Sequence, residues 1–120
     1  MTIKRPITVT TLANMKARGE PIGCLTAYDY SFASILDKTG VEIILVGDSL
    51  GMVVQGHLTT LPVTVDDLVY HTQCVSRGVQ TSLIIADMPF GSFQSSPQQA
   101  FENAARLLGE GGAQMVKIEG

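Results

Sequence analysis

The chain has 120 residues, 45% of them apolar and 16% charged, with a formal net charge of −3. That apolar content suffices for one core, so residues 1–120 are expected to form a single domain. The acidic balance, with Lys and Arg scattered, argues against a nucleic-acid surface, and no apolar run approaches the ~20 residues of a membrane span.

The opening stretch, Met1 to Pro6, leads into no apolar segment of signal-peptide length. Cys24 and Cys74 lack metal-type spacing and read as buried free thiols in a reducing compartment. A soluble, cytoplasmic protein is therefore expected.

Thr10 to Ala17 predicts a short helix capped by Thr10, with Leu12 and Met15 on one face and Gly19 just past its end. Ile22 to Ala27 predicts the first strand, and Tyr28-Asp29-Tyr30 turns the chain into a second helix. Asp29, Phe32, Ala33 and Leu36 recur there at helical spacing, and Gly40 ends it. Asp29 suits an N-cap; a catalytic carboxylate is the alternative.

Val41 to Val46 is a nearly continuous apolar run, the pattern of a parallel strand buried on both faces. It stops at Gly47-Asp48, which sets a carboxylate at the strand's carboxyl end, where α/β folds place their chemistry. The long connection from Gly47 to Thr64, containing His57, is expected to cover that site. His57 either meets a ligand there or is simply solvated.

Thr64 then caps a helix with an apolar stripe of Val65, Leu68, Val69, Thr72 and Val75, opened by Asp66 and Asp67 and closed by Arg77-Gly78. Ser82 to Ala86 is the next apolar strand; it ends in Asp87-Met88-Pro89, and Pro89 limits its extension. Ser96-Pro97-Gln98-Gln99 predicts a capping box with proline at the first helical position, and Phe101, Ala104, Ala105 and Leu108 are expected to face the core. Gly109, Gly111 and Gly112 return the chain to a strand, so they lack the strand-to-helix geometry of a phosphate cradle.

In the final strand, Gln114 to Gly120, Lys117 and Glu119 stand two apart and project to one face, opposite Val116 and Ile118. Asp48, Asp87 and Glu119 thus come to equivalent strand ends, about 4.8 Å apart from strand to strand. Like charges at such range need a cation. An all-oxygen set suits Mg²⁺ or Ca²⁺ rather than zinc, and Lys117 is placed to neutralise an anionic ligand. The bland alternatives are Asx turns or caps for the aspartates and a salt bridge from Lys117 to Glu119.

The expected fold class is α/β: parallel β/α units with four strands, three intervening helices and a short N-terminal helix. Such a series opens either a doubly wound sheet or a (β/α)8 barrel. A barrel takes about 250 residues, so on that reading this is its first half, ending on an uncovered strand.

Thr26-Ala27-Tyr28-Asp29-Tyr30, Val46-Gly47-Asp48-Ser49-Leu50-Gly51, Thr60-Leu61-Pro62-Val63-Thr64, Ala86-Asp87-Met88-Pro89-Phe90 and Val116-Lys117-Ile118-Glu119-Gly120 together resemble the ketopantoate hydroxymethyltransferase family, in its order and approximate spacing. The resemblance implies the first half of a TIM (β/α)8 barrel enzyme of pantothenate biosynthesis. It implies Mg²⁺, 5,10-methylenetetrahydrofolate as co-substrate and 3-methyl-2-oxobutanoate as the 2-oxo acid acceptor. Carried over by position, Asp48, Asp87 and Glu119 hold the metal, and Asp48, Ser49, Asp87 and Lys117 bind the acid. Mn²⁺ also accepts such ligands.

The family's general base comes from the barrel's other half, and no residue here inherits it. The 120 residues alone are accordingly expected not to turn over, unless completed by a second polypeptide or a paired copy; family members are homo-oligomers. One alternative is an inert half-barrel associating through its open edge. Another is a GDSL-type esterase, since Gly47-Asp48-Ser49-Leu50 spells that signature with Ser49 as nucleophile. That reading needs a helix directly after Ser49, where Gly51 and Gly56 favour a loop, and it leaves Asp87, Lys117 and Glu119 idle.

Overall fold

The computed structural model describes residues 5–119. Met1 to Lys4 of the expected leaderless start and Gly120 of the expected last strand lie outside them. Helix α1 (Val9–Ala17) is followed by β1 (Cys24–Thr26), α2 (Tyr30–Lys38), β2 (Ile43–Val46), the short α3 (Leu50–Val53), α4 (Val65–Gly78), β3 (Leu83–Asp87), α5 (Pro97–Gly109) and β4 (Met115–Lys117). No helix among the described residues is long and apolar enough to cross a membrane.

The four strands are parallel and lie in the order β1-β2-β3-β4. A doubly wound sheet reverses its strand order at a switch point. Here each strand is laid beside its predecessor by a right-handed crossover, and α2 packs on α4 and α4 on α5 in one layer. That is the wall of a (β/α)8 barrel.

The one-sided helix layer also corrects the expectation for β2. Ile44 and Val46 are fully buried beneath the helices, but Ile43 and Leu45, on the other face, are only half-buried. In register, Thr26, Leu45, Ile85 and Met115 form a row on this inner face. Cys24 belongs to the same face and, on an edge strand, is an exposed free thiol; Cys74 is free and half-buried.

Local signals explain most of the helix boundaries. The capping residue of α1 is Thr8, two before the expected Thr10, because Thr8 and Thr11 bond each other's backbone N–H reciprocally. No α1 side chain is buried, and the segment is tied to the sheet's amino end by the Ile7 N–H on the Thr81 carbonyl at 2.7 Å. Asp29 caps α2 through the Phe32 N–H at 2.8 Å, as expected, and Gly40 follows with φ of 85°. Thr64 and Asp67 form a full capping box on α4, whose buried residues are Leu68, Val69, Thr72 and Val75. Ser96 caps α5 with Pro97 in its first turn, but Gln99 reaches Ser95 instead of closing the box.

The buried face of α5 is rotated from the expected one. Leu107 is fully buried and Ala104 packs against the core, whereas Phe101, Ala105 and Leu108 are exposed. Adjacent leucines at 107 and 108 let helical periodicity select either stripe. Tertiary bonds decide: Arg106 reaches Asp66 on α4 at 2.8 Å, and Asn103 donates to the Ser92 carbonyl at 2.7 Å. On α2, likewise, Ala33 is buried and Leu36 packs on the core, while Phe32 faces out.

Helices α2 and α4 approach through Gly78, where an added Cβ would lie 2.7 Å from the Tyr30 carbonyl oxygen and 3.1 Å from the Ser34 nitrogen. Backbone cannot yield as a side-chain tip does. Gly78→Ala is expected to lower the unfolding free energy by about 1–3 kcal/mol, measured by urea denaturation; unchanged stability would refute the tight approach.

Candidate functional site

The sequence-predicted carboxylates meet on one rim. A cavity of about 310 Å³ is lined by Asp48, Thr60, Leu61, Asp87, Met88, Phe90, Gln94 and Glu119, at the carboxyl ends of β2, β3 and β4. The parallel register sets Asp87 opposite Lys117, so both project from neighbouring strands at one level.

Asp87 is 5% exposed and organises the site. Its Oδ2 accepts the backbone N–H of Asp48 at 2.9 Å, which joins the end of β3 to the turn after β2. Its Oδ1 accepts no hydrogen bond; Lys117 Nζ stands 3.3 Å away. This buried oxygen thus faces a cation without a hydrogen bond, which leaves lone pairs open to a further ligand. Lys117 also grips Glu119 Oε2 at 2.7 Å, the pairing that their spacing permitted.

The charges act on one another. Burial raises the Asp48 pKa, and the nearby charges of Asp87 and then Glu119 push it further, against relief from Lys117 and the Thr60 hydroxyl. The hydrogen bond from Lys117 holds Glu119 below its ordinary value and Lys117 above its own.

Convergence on a single point is the part of the expectation that needs correction. Among the described residues, no three His, Cys, Asp or Glu side chains are grouped to hold a metal ion. Glu119 is largely exposed and turned to Lys117, so an internal cation already meets its charge. Asp48 and Asp87 remain as the inner pair. Their all-oxygen chemistry, with no hydrogen bond on Asp87 Oδ1, fits a hard divalent cation.

Ser49 does not line this cavity. It stands at the N-cap of α3, where its side chain makes no capping hydrogen bond, and its Oγ lies 2.6 Å from the Tyr28 hydroxyl. The helical turn that starts at Leu50 corrects the expectation of a plain loop after Ser49, although Ser49 itself has ordinary helical backbone, φ −54° and ψ −17°. Its hydroxyl partner is a phenol and no histidine. The covering connection does reach the site, through Thr60 and Leu61, but His57 is exposed and lines no part of this cavity. Asp29 is the cap of α2, away from the acidic cavity. Gln94 and the Tyr28 contact had no sequence signal, since neither residue type, alone in a loop, marks a ligand.

Consecutive parallel strands with an acidic cavity at their carboxyl ends define the class: part of a (β/α)8-barrel protein, with the cavity on the rim where such folds place their chemistry. The chain belongs to the ketopantoate hydroxymethyltransferase family, whose profile matches residues 6–120. It is 58% identical over 114 residues to a 3-methyl-2-oxobutanoate hydroxymethyltransferase of Halorhodospira halophila, covering 95% of this chain and 41% of that protein. The enzyme of the same name from Nitrosomonas europaea is 60% identical over 114 residues, covering 95% and 42%, and that from Magnetococcus marinus 55% over 118, covering 98% and 44%. The chain thus spans about two-fifths of the length of the curated relatives it matches.

Proposed function

We propose that the chain carries the metal- and acid-binding rim for hydroxymethyl transfer from 5,10-methylenetetrahydrofolate to 3-methyl-2-oxobutanoate, giving 2-dehydropantoate in pantothenate biosynthesis. The observation that carries this reading is Asp87: buried at a strand end, lining the cavity beside Asp48, tied to the Asp48 N–H, and with a second oxygen that accepts no hydrogen bond. In the net reaction the acid loses the proton on C3 and gains CH₂OH, water supplies the hydroxyl, and the donor leaves as tetrahydrofolate.

Asp48 and Asp87 would hold Mg²⁺, with Glu119 reaching it through water. Bound there, Mg²⁺ supplies Lewis acidity toward the keto and carboxylate oxygens of the acid. Lys117 places a positive charge beside Asp87 and balances the carboxylate of the substrate. Phe90, Met88 and Leu61 make the apolar wall that suits a branched aliphatic chain and keeps bulk water from the reacting carbon.

With Mg²⁺ bound, all three carboxylates of the cavity would be engaged with the metal or with Lys117, leaving none of them free as a general base. The 120-residue chain is therefore expected to bind the acid without turning over, and association with a second copy or a complementing half-barrel would cover the half-exposed inner face. A cytoplasmic location accords with the two free thiols.

The test is calorimetric titration of 3-methyl-2-oxobutanoate into the chain with MgCl₂ and with EDTA. Binding in Mg²⁺ that weakens at least about 100-fold in EDTA is expected. No heat in either buffer, or equal affinity in both, would refute the assignment. Fluorophosphonate labelling of Ser49 would instead favour the esterase reading.

A further inference from the structure

We infer that Tyr28 is a positioning residue for the acid-binding site, orienting the Ser49 hydroxyl through their 2.6 Å hydrogen bond. The inference rests on the proposed function, together with the acid-binding role that the family resemblance implies for Ser49, which adjoins Asp48 at the cavity's edge.

A serine at a helix N-cap ordinarily turns its hydroxyl onto the backbone N–H groups of the first turn. Ser49 makes no such bond; its oxygen is committed across the rim to a phenol that follows β1. The phenol is the more acidic hydroxyl and so the better donor. When Tyr28 donates to Ser49 Oγ, the serine keeps its own proton to donate to an anionic oxygen.

Space and anchoring restrict the pair further. A Cβ at residue 47 would stand 3.0 Å from Ser49 Oγ and 3.3 Å from Asp87 Oδ2, so the hydroxyl and the key carboxylate flank Gly47. Tyr28 is itself half-buried, and its carbonyl oxygen lies 2.7 Å from His71 Nδ1 on α4. A carbonyl only accepts, so Nδ1 carries the proton. The Tyr70 ring meets His71 edge-on, with centroids 5.3 Å apart and planes at 88°. Helix α4 thus steadies the backbone of Tyr28, and the Tyr28 ring steadies Ser49.

The experiment uses the 120-residue chain with tyrosine labelled at ¹³Cζ, titrated with 3-methyl-2-oxobutanoate in MgCl₂. The Tyr28 resonance is expected to move on binding, while the exposed Tyr30 and Tyr70 stay as internal references. Ser49→Ala is expected to abolish that movement. Tyr28→Phe is expected to weaken acid binding about 3–10-fold, the worth of one hydrogen bond, without lowering Tm. The double variant should bind no more weakly than Ser49→Ala alone.

If the unaltered chain binds the acid but Tyr28→Phe binds it equally well, or the two single effects add, the positioning role is overturned and the function is not. If the unaltered chain does not bind the acid, the proposed function fails and this inference falls with it. Should Tyr28→Phe not fold, the other arm decides: a Tyr28 shift that survives in Ser49→Ala refutes the coupling.

Discussion

Replacing Asp37 with alanine is expected to cost about 3–5 kcal/mol of unfolding free energy. Asp37, buried at the last turn of α2, accepts four hydrogen bonds from the loop that leads into β3. The Gln80 N–H approaches Oδ2 at 2.9 Å, while Oδ1 takes the Thr81 N–H at 3.0 Å, the Thr81 hydroxyl at 2.9 Å and the Ser82 N–H at 2.8 Å. Alanine leaves those donors facing a void where water has poor access. A domain of this size has only about 5–15 kcal/mol in all, so the variant should unfold at much lower urea. A loss under about 1 kcal/mol would show that the loop finds other partners.

The same carboxylate carries a pH signature. Although burial alone would raise its pKa, the Ser82, Gln80 and Thr81 donors hold it at about 2, below the ordinary 3.8. Because the folded value is the lower one, the unfolded chain binds more protons between the two. The contribution, about 2 kcal/mol, is fully present above pH near 3.8 and is lost as pH falls through about 2. Asp37→Asn should flatten that acid limb of the stability curve. An unchanged limb would assign it to other groups.

Asp87→Asn is expected to separate binding from folding. Asparagine preserves an oxygen for the Asp48 N–H, and relief of a buried charge whose second oxygen lacks a hydrogen bond offsets loss of the 3.3 Å ion pair to the half-exposed Lys117. Metal-free stability should therefore change by less than about 1 kcal/mol. Mg²⁺ affinity, by contrast, should fall more than about 100-fold, beyond the effect of losing a group that merely supports a ligand. In the unaltered chain, Mg²⁺ at 100 times its Kd adds about 2.7 kcal/mol, and the variant should show none of this. Thermal unfolding with and without MgCl₂ reads both arms; a variant that keeps the full Mg²⁺-dependent rise in Tm would remove Asp87 from the metal site.

The order of the β/α units, the positions of α2, α4 and α5 and the gathering of Asp48, Asp87, Lys117 and Glu119 on one rim were legible in the residues themselves. Strand runs, N-cap side chains and terminating glycines act over a few neighbours, so their signal survives in one dimension. A parallel strand preserves direction, so residues at the ends of successive strands share a rim without further information.

Rotation and partnership were left to tertiary structure. Leu107 and Leu108 are equally apolar, and only the bonds of Arg106 to Asp66 and Asn103 to Ser92 turn one of them inward. The clasp at Asp37 joins residues 43–45 apart, and the Tyr28 to Ser49 bond spans 21. Nothing local marks either of them. Glu119 shows the same division: its side of the strand follows from alternation, but its choice of Lys117 over a common point with Asp48 and Asp87 depends on distances set by packing. Short-range sterics and hydrogen bonding thus wrote the elements and their polarity into the sequence, whereas contacts across strands and helices exist only once the layer has closed around its core.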